Sequence, residues 1–181
     1  MSTWSAAAFV RRLADARIGS TFNFYGDGPG AHARRARLAG YLESRSHAEI
    51  LLVGEAAGYR GARVSGLPFT SERQLTGAGP AEASATIVHR ALTDLGLAED
   101  VLLWNVVPTH PHRPGAPESN RAPTRTEAAA ELRFVDELAA GRRVVAVGRL
   151  AERILGAPYV RHPSRGGALA FRTGLMALLD E

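Results

Sequence analysis

Four short apolar runs divide the chain. Glu49 to Val53, Val101 to Asn105 and Val144 to Val147 are too short for buried helices and rich in β-branched residues, and Tyr159-Val160 starts a fourth run. Such runs read as strands of a sheet buried on both faces. Between them the apolar positions recur at helical spacing. A first helix is predicted from Trp4 to Ile18, with Trp4, Ala8, Phe9 or Val10, and Leu13 on one face, Ser2 or Thr3 as cap and Gly19 as stop. Further helices are predicted over Ala31 to Arg45, over Ala81 to Leu95 with Ile87, Val88, Ala91 and Leu95 inward, and over Ala168 to Leu179. Thr124-x-x-Glu127 is a capping box that opens a helix running to Ala140, and Gly148-Arg149-Leu150 opens a short one.

Strands alternating with helices predict an α/β fold: a parallel sheet covered by helices on both faces and joined by right-handed crossovers. The spacing leaves room for one domain over residues 1–181. All strands of such a sheet point the same way, so the loops after Val53, Asn105 and Val160 emerge together at its carboxyl edge, where open α/β folds bind ligands.

Those loops are polar and glycine-rich. The first carries Gly54, Glu55, Gly58, Gly61, Gly66, Phe69 and Glu72; the second follows Trp104-Asn105-Val106-Val107-Pro108; the third is His162-Pro163-Ser164-Arg165-Gly166-Gly167. The aromatics Phe22, Phe24 and Tyr25 of a separate loop are expected to tuck it onto the core. The arginines at the start of the second helix, Arg34, Arg35 and Arg37, read as a solvated face or a phosphate contact. His89 reads as a surface or core residue.

Composition narrows the chemistry. No cysteine is present among the 181 residues, which excludes disulfides, thiolate nucleophiles, cysteine-ligated zinc and iron–sulfur clusters held by thiolates. All 22 basic residues are arginine, giving a formal charge of +4 that suits a polyanion partner. No apolar stretch approaches the ~18 residues of a membrane span. Arginines lie inside the first apolar pattern, unlike a signal peptide, so a cytoplasmic protein without a membrane partner is expected. A P-loop, a G-x-G-x-x-G fingerprint and a G-x-S-x-G elbow are all missing. His110 and His112 stand close together with few carboxylates nearby, so no metal site is expected, although either histidine could touch DNA.

Taken in order, G-E-A-A-G, G-L-P-F-T, W-N-V-V-P and H-P-S-R-G-G resemble the motifs of the uracil-DNA glycosylase superfamily from about Ile50 to Gly167. The nearest branches carry G-E-x-P-G and F-T-G-D signatures, here without the iron–sulfur cysteines of one such branch. The resemblance implies a three-layer α/β/α fold with a central four-stranded parallel sheet in the order 2-1-3-4. It implies a monomeric DNA-repair enzyme that flips uracil out of DNA and hydrolyses its N-glycosidic bond, with no cofactor; the alternative is a catalytically weak relative that binds DNA or abasic sites.

Roles follow residue by residue. Phe69 would stack on the flipped ring, unless it is a core phenylalanine. Asn105 would read the uracil edge, unless it is a turn residue; Gly54 and Ala56 would line the pocket. His162 would face O2, or be a plain His-Pro turn. Ser164, Arg165 and Gly166 would press on the DNA backbone, and Arg121 would contact it. Water would be oriented by Glu55 or by Glu72, with Glu55 favoured. Ala57 replaces the usual loop proline. A bulky tyrosine that some relatives set against the thymine methyl is replaced by Gly58, leaving Tyr59 or Arg60 for that task. Without any lysine, Schiff-base strand cleavage has no side-chain amine, so the enzyme is expected to be monofunctional.

Overall fold

A computed structural model describes residues 4–179. Its sheet has four parallel strands in the order β2-β1-β3-β4: β1 is Ile50–Ala56, β2 Val101–Val107, β3 Arg143–Val147 and β4 Tyr159–Val160. The central strand β1 pairs Gly54 with Asn105 of β2 and Val53 with Ala146 of β3, while β3 pairs Val147 with Val160. This is the expected order, and it brings the first and second motifs side by side.

Strand side chains alternate between the two faces. Leu51, Val53, Leu102 and Trp104 enter one apolar cluster with Phe9, Leu13, Leu38 and Phe134. These come from helices α1 (Ala6–Asp15), α2 (Ala31–Ser44) and α7 (Arg133–Ala139). Ile50, Leu52, Leu103 and Val145 enter the other with Val88, Leu92, Phe171 and Leu175, from helices α5 (Ala83–Asp94) and α9 (Ala168–Leu179). Helix α8 (Arg149–Leu155) adds Ala151 to the first cluster. No helix among the described residues is long and apolar enough to cross a membrane.

Several boundaries depart from the sequence pattern for local reasons. Helix α1 is capped by Ser5, whose Oγ accepts from the Ala8 N–H at 3.4 Å, so Trp4 lies before the helix and is 44% exposed. The caps expected at Ser2 or Thr3 lie outside the described residues. The helix stops at Asp15 rather than Ile18 because the Asn23 side chain donates to the carbonyls of Leu13, Ala14 and Ala16, taking up its open end. The helix expected from Thr124 to Ala140 breaks into α6 (Arg125–Ala130) and α7, with Glu131 out of helical conformation between them. Strands β1 and β2 run three and two residues further than expected, so Gly54, Glu55 and Ala56 are strand residues and β2 continues through Val107 beyond Asn105. Two short helices form inside the first loop, α3 (Ala62–Ser65) and α4 (Glu72–Thr76).

The basic start of α2 is structural. Arg34 donates to the Phe24 and Pro29 carbonyls, and Arg35 to Tyr25 O, pinning a loop whose Phe24 and Tyr25 are buried while Phe22 stays 44% exposed. The capping box on α6 does more than start a helix. Glu127 is buried and accepts from the N–H groups of Ser20 and Thr124 and from both Nη atoms of Arg121. That pairing holds its carboxyl at about 2. A depressed acid stabilises the fold above its unfolded pKa and stops doing so as pH falls through the folded value. Stability should therefore drop between about pH 4.5 and pH 2 in acid titrations followed by circular dichroism. Glu127→Gln should flatten that drop while lowering stability at neutral pH.

Candidate active site

Gly54 makes the floor possible. A Cβ there would overlap the edge of the Phe69 ring and come within 2.9 Å of Asn105 Oδ1. Its lack of a side chain lets a ring from the first loop and an amide from β2 meet over β1. Phe69 is aimed by its backbone, which has φ +50°, a left-handed conformation costly for an aromatic residue. The loop around it is tied down on both sides. Ser65 Oγ donates to the Thr70 carbonyl at 2.6 Å and accepts from Leu67 N–H at 3.0 Å, and Thr70 Oγ1 meets His89 Nε2 at 3.0 Å. His89 is thus half-buried and structural.

Asn105 is only 4% exposed. Its side-chain amide makes no hydrogen bond to protein among the described residues. Neither of its polar atoms is sealed from solvent, so donor and acceptor both open on the cavity described below, where a ligand or water can take them.

The third loop closes the opposite wall. The Ser164 N–H donates to His162 Nδ1 at 3.1 Å, and Ser164 Oγ lies 2.8 Å from the same nitrogen. Nδ1 is therefore an acceptor, and the neutral ring carries its proton on Nε2. Burial holds the His162 pKa below its ordinary value, favouring this neutral form at physiological pH. The imidazole and the Phe69 ring are 6.4 Å apart, centroid to centroid. Arg165 takes φ +52° and Gly166 φ +74°, forming the tight turn of H-P-S-R-G-G.

Glu55, Ala56, Gly58, Phe69, Asn105 and His162 all border one cavity of about 40 Å³. That is near the size of a single water. It opens into a groove of about 780 Å³ bordered by Arg121, Arg149, Arg153, Ser164 and Arg165. Of these, Arg121 is already bound to Glu127, and Arg149 to Glu152 with its guanidinium 4.1 Å over Tyr159, so Arg153 and Arg165 are the less committed cations. Burial raises the Glu55 pKa, with Arg153 pulling it back. A hollow at the other edge of the sheet, about 380 Å³ between Trp4, His47, Glu49 and Arg142, contains none of the motif residues.

The second carboxylate candidate does not reach the cavity. Helix α4 carries Glu72 away, and its carboxylate is held by Arg37 in a bidentate pair at 2.7 and 3.0 Å. Tyr59 and Arg60 also miss the cavity and line an adjoining cleft. His110 is fully buried, with Nδ1 donating to the Ala57 carbonyl at 2.9 Å, and it stacks on His112, so it fixes the end of the first motif. Sequence reading missed Glu82, the residue before α5, whose carboxyl borders the cavity beside Ser84. No motif marks it; it follows the unremarkable run Gly77-Ala78-Gly79-Pro80-Ala81.

Comparison with known proteins agrees with this arrangement. The crystal structure of wild-type Pedobacter heparinus SMUG2 is similar over 99% of this chain and 100% of that chain, with a TM-score of 0.70 and 13% identity, a likeness of fold. No curated protein matches the chain in sequence. Residues 42–176, which include every motif residue named above, match the model of the uracil DNA glycosylase superfamily. The chain belongs to the uracil DNA glycosylase superfamily.

Proposed function

We propose that this protein hydrolyses the N-glycosidic bond of deoxyuridine in DNA and leaves an intact abasic strand. The observation that carries the reading is the unspent Asn105 amide, which borders one cavity together with the Phe69 ring and His162. A base must leave the duplex to be cut. Phe69 offers the flipped base a face worth ~1–3 kcal/mol of stacking. The Asn105 amide donates to O4 and accepts from N3–H of uracil, whereas cytosine presents the wrong pattern. His162 Nε2–H donates to O2.

In the reaction the C1′–N1 bond breaks and its electron pair leaves with the base. Charge gathering on O2 strengthens the bond from His162. The positive sugar is stabilised by the Glu55 carboxylate, which also orients the attacking water and takes its proton. The arginines of the groove suit phosphates. With no lysine, no side-chain amine can open the sugar as a Schiff base.

The test is release of labelled uracil from a U·G duplex and from a single strand. Release should be accompanied by alkali-labile sites and by no borohydride-trapped adduct. No release from either substrate at enzyme excess would leave a protein that binds DNA or abasic sites.

The two carboxylates should separate cleanly. Glu55→Gln should slow single-turnover release about 10²-fold, the lower end for loss of a general base, because the amide oxygen still accepts from water. Its raised pKa also places the acid limb of the rate above the ordinary carboxylate range, and the variant should lose that limb. Ionising a carboxyl whose folded pKa is raised costs stability as pH climbs through that value. Glu55→Gln should therefore melt higher than the native chain at neutral pH. Glu72→Gln should instead lose the Arg37 pair and melt lower, with little change in rate. The opposite ordering of rates would move the catalytic carboxylate to Glu72.

A further inference from the structure

Glu82 stands where the first loop has no side chains. A Cβ on Gly58 would come within 2.9 Å of Glu82 Oε1, and one on Gly61 would overlap Glu82 Oε2. The carboxyl thus fills the space above two bare glycines. Its hydrogen bond is to the hydroxyl of Ser84, two residues on, at 3.0 Å. Glu82 faces more than one hollow. On one side it borders the base cavity of about 40 Å³, and on the other a cleft of about 430 Å³ between Tyr59, Arg60, Glu118 and Asn120. It is the side chain that both share.

Which edge of a base meets this wall follows by elimination, given the proposed glycosylase reading on which this step rests. N1 of uracil is bonded to the sugar and must face the groove. O2 is taken by His162, and N3–H with O4 by Asn105. The C5–C6 edge remains, and the wall left to it is Ala56, Gly58, Ala62, Glu82 and Ser84, among which Glu82 is the one long side chain. The inner cavity alone is smaller than a pyrimidine, and Glu82 borders both it and the open groove, so a base seated from the groove meets that carboxyl. Phe69 is fixed by its backbone and Ser65, and His162 by Ser164. Glu82 has one hydrogen bond to a near neighbour, and burial penalises its ionised form.

We propose that Glu82 is a specificity-determining residue: its carboxyl is a movable partition that yields enough for an unsubstituted C5–C6 edge and excludes pyrimidines substituted at C5. A pocket that differs by one methyl discriminates by roughly 10- to 200-fold. Removing the carboxyl joins the base cavity to the neighbouring cleft and gives the substituent somewhere to go.

The experiment compares excision of uracil, thymine and 5-hydroxymethyluracil from one oligonucleotide sequence by the native chain, Glu82→Ala and Glu82→Gln. The Glu82 side chain makes no capping bond to α5, and burial disfavours its ionised form, so Glu82→Gln should melt no lower than the native chain at neutral pH. Glu82→Ala should raise kcat/KM for the substituted bases relative to uracil by about 10-fold or more. The isosteric Glu82→Gln should keep the native ratio. An unchanged ratio in Glu82→Ala would overturn the proposal, and so would loss of uracil excision in that variant. Should the native chain release no uracil, the glycosylase reading fails instead, and the two failures are thereby distinct.

Discussion

Replacing His162 with alanine is expected to slow single-turnover uracil release about 10²- to 10³-fold, the usual loss for one donor aimed at a developing anion. The size of the effect follows from how the ring is held. The backbone N–H of Ser164 donates to Nδ1, so the proton of the neutral ring has to sit on Nε2. The same contact disfavours the imidazolium, because a protonated Nδ1 would confront an N–H. Burial acts in the same direction. Between pH 6.5 and 8 the rate should therefore show no inflection from this group. His162→Gln, which keeps an N–H near the same place, should recover part of the loss. A His162→Ala rate within about 3-fold of native, less than one neutral hydrogen bond is worth, would remove His162 from the leaving-group site.

The strands were legible because their signal is strong. The two longest, β1 and β2, are apolar runs buried on both faces, and three of the four lead into polar motifs. Parallel topology alone then brings those motifs to one edge. The sheet order is another matter: periodicity says nothing about it, and the motif resemblance supplied it. Gly54, Phe69, Asn105 and His162 do meet around one cavity, since each lies on or just beyond a strand end or in the loop tied to one.

Other features depend on contacts that linear spacing hides. Glu72 lies three residues beyond Phe69 and is the second candidate the sequence offers after Glu55, yet the turn into α4 sends it to Arg37, 35 positions earlier. Glu82 carries no motif at all. Its place comes from empty space above Gly58 and Gly61, and a glycine in sequence does not say which distant side chain will use the room it leaves. The early end of α1 is set by Asn23, a residue beyond the helix reaching back to its carbonyls.

Gly54→Ala is expected to slow uracil release about 10³-fold through a single methyl group. The new Cβ would overlap the Phe69 ring and crowd Asn105 Oδ1. The backbone of β1 has little room to retreat, because Gly54 pairs with Asn105 of β2 and the preceding Val53 with Ala146 of β3. With its loop tied by Ser65, the Phe69 side chain takes the strain and is forced off its place by the added methyl. Displacing a binding surface by about 1 Å costs roughly 10² in rate, and losing the stack adds about another 10-fold, for a combined loss near 10³. The fold should survive at a cost of about 1–3 kcal/mol, as for other overpacked sites. A double-mutant cycle isolates the cause. In a Phe69→Ala background the ring is gone, so adding Gly54→Ala should cost far less than it does in the native chain, leaving the Asn105 contact as the remainder. If the two substitutions instead multiplied as independent losses, Gly54 would not be serving Phe69. The floor of the pocket would then have to be assigned to other residues.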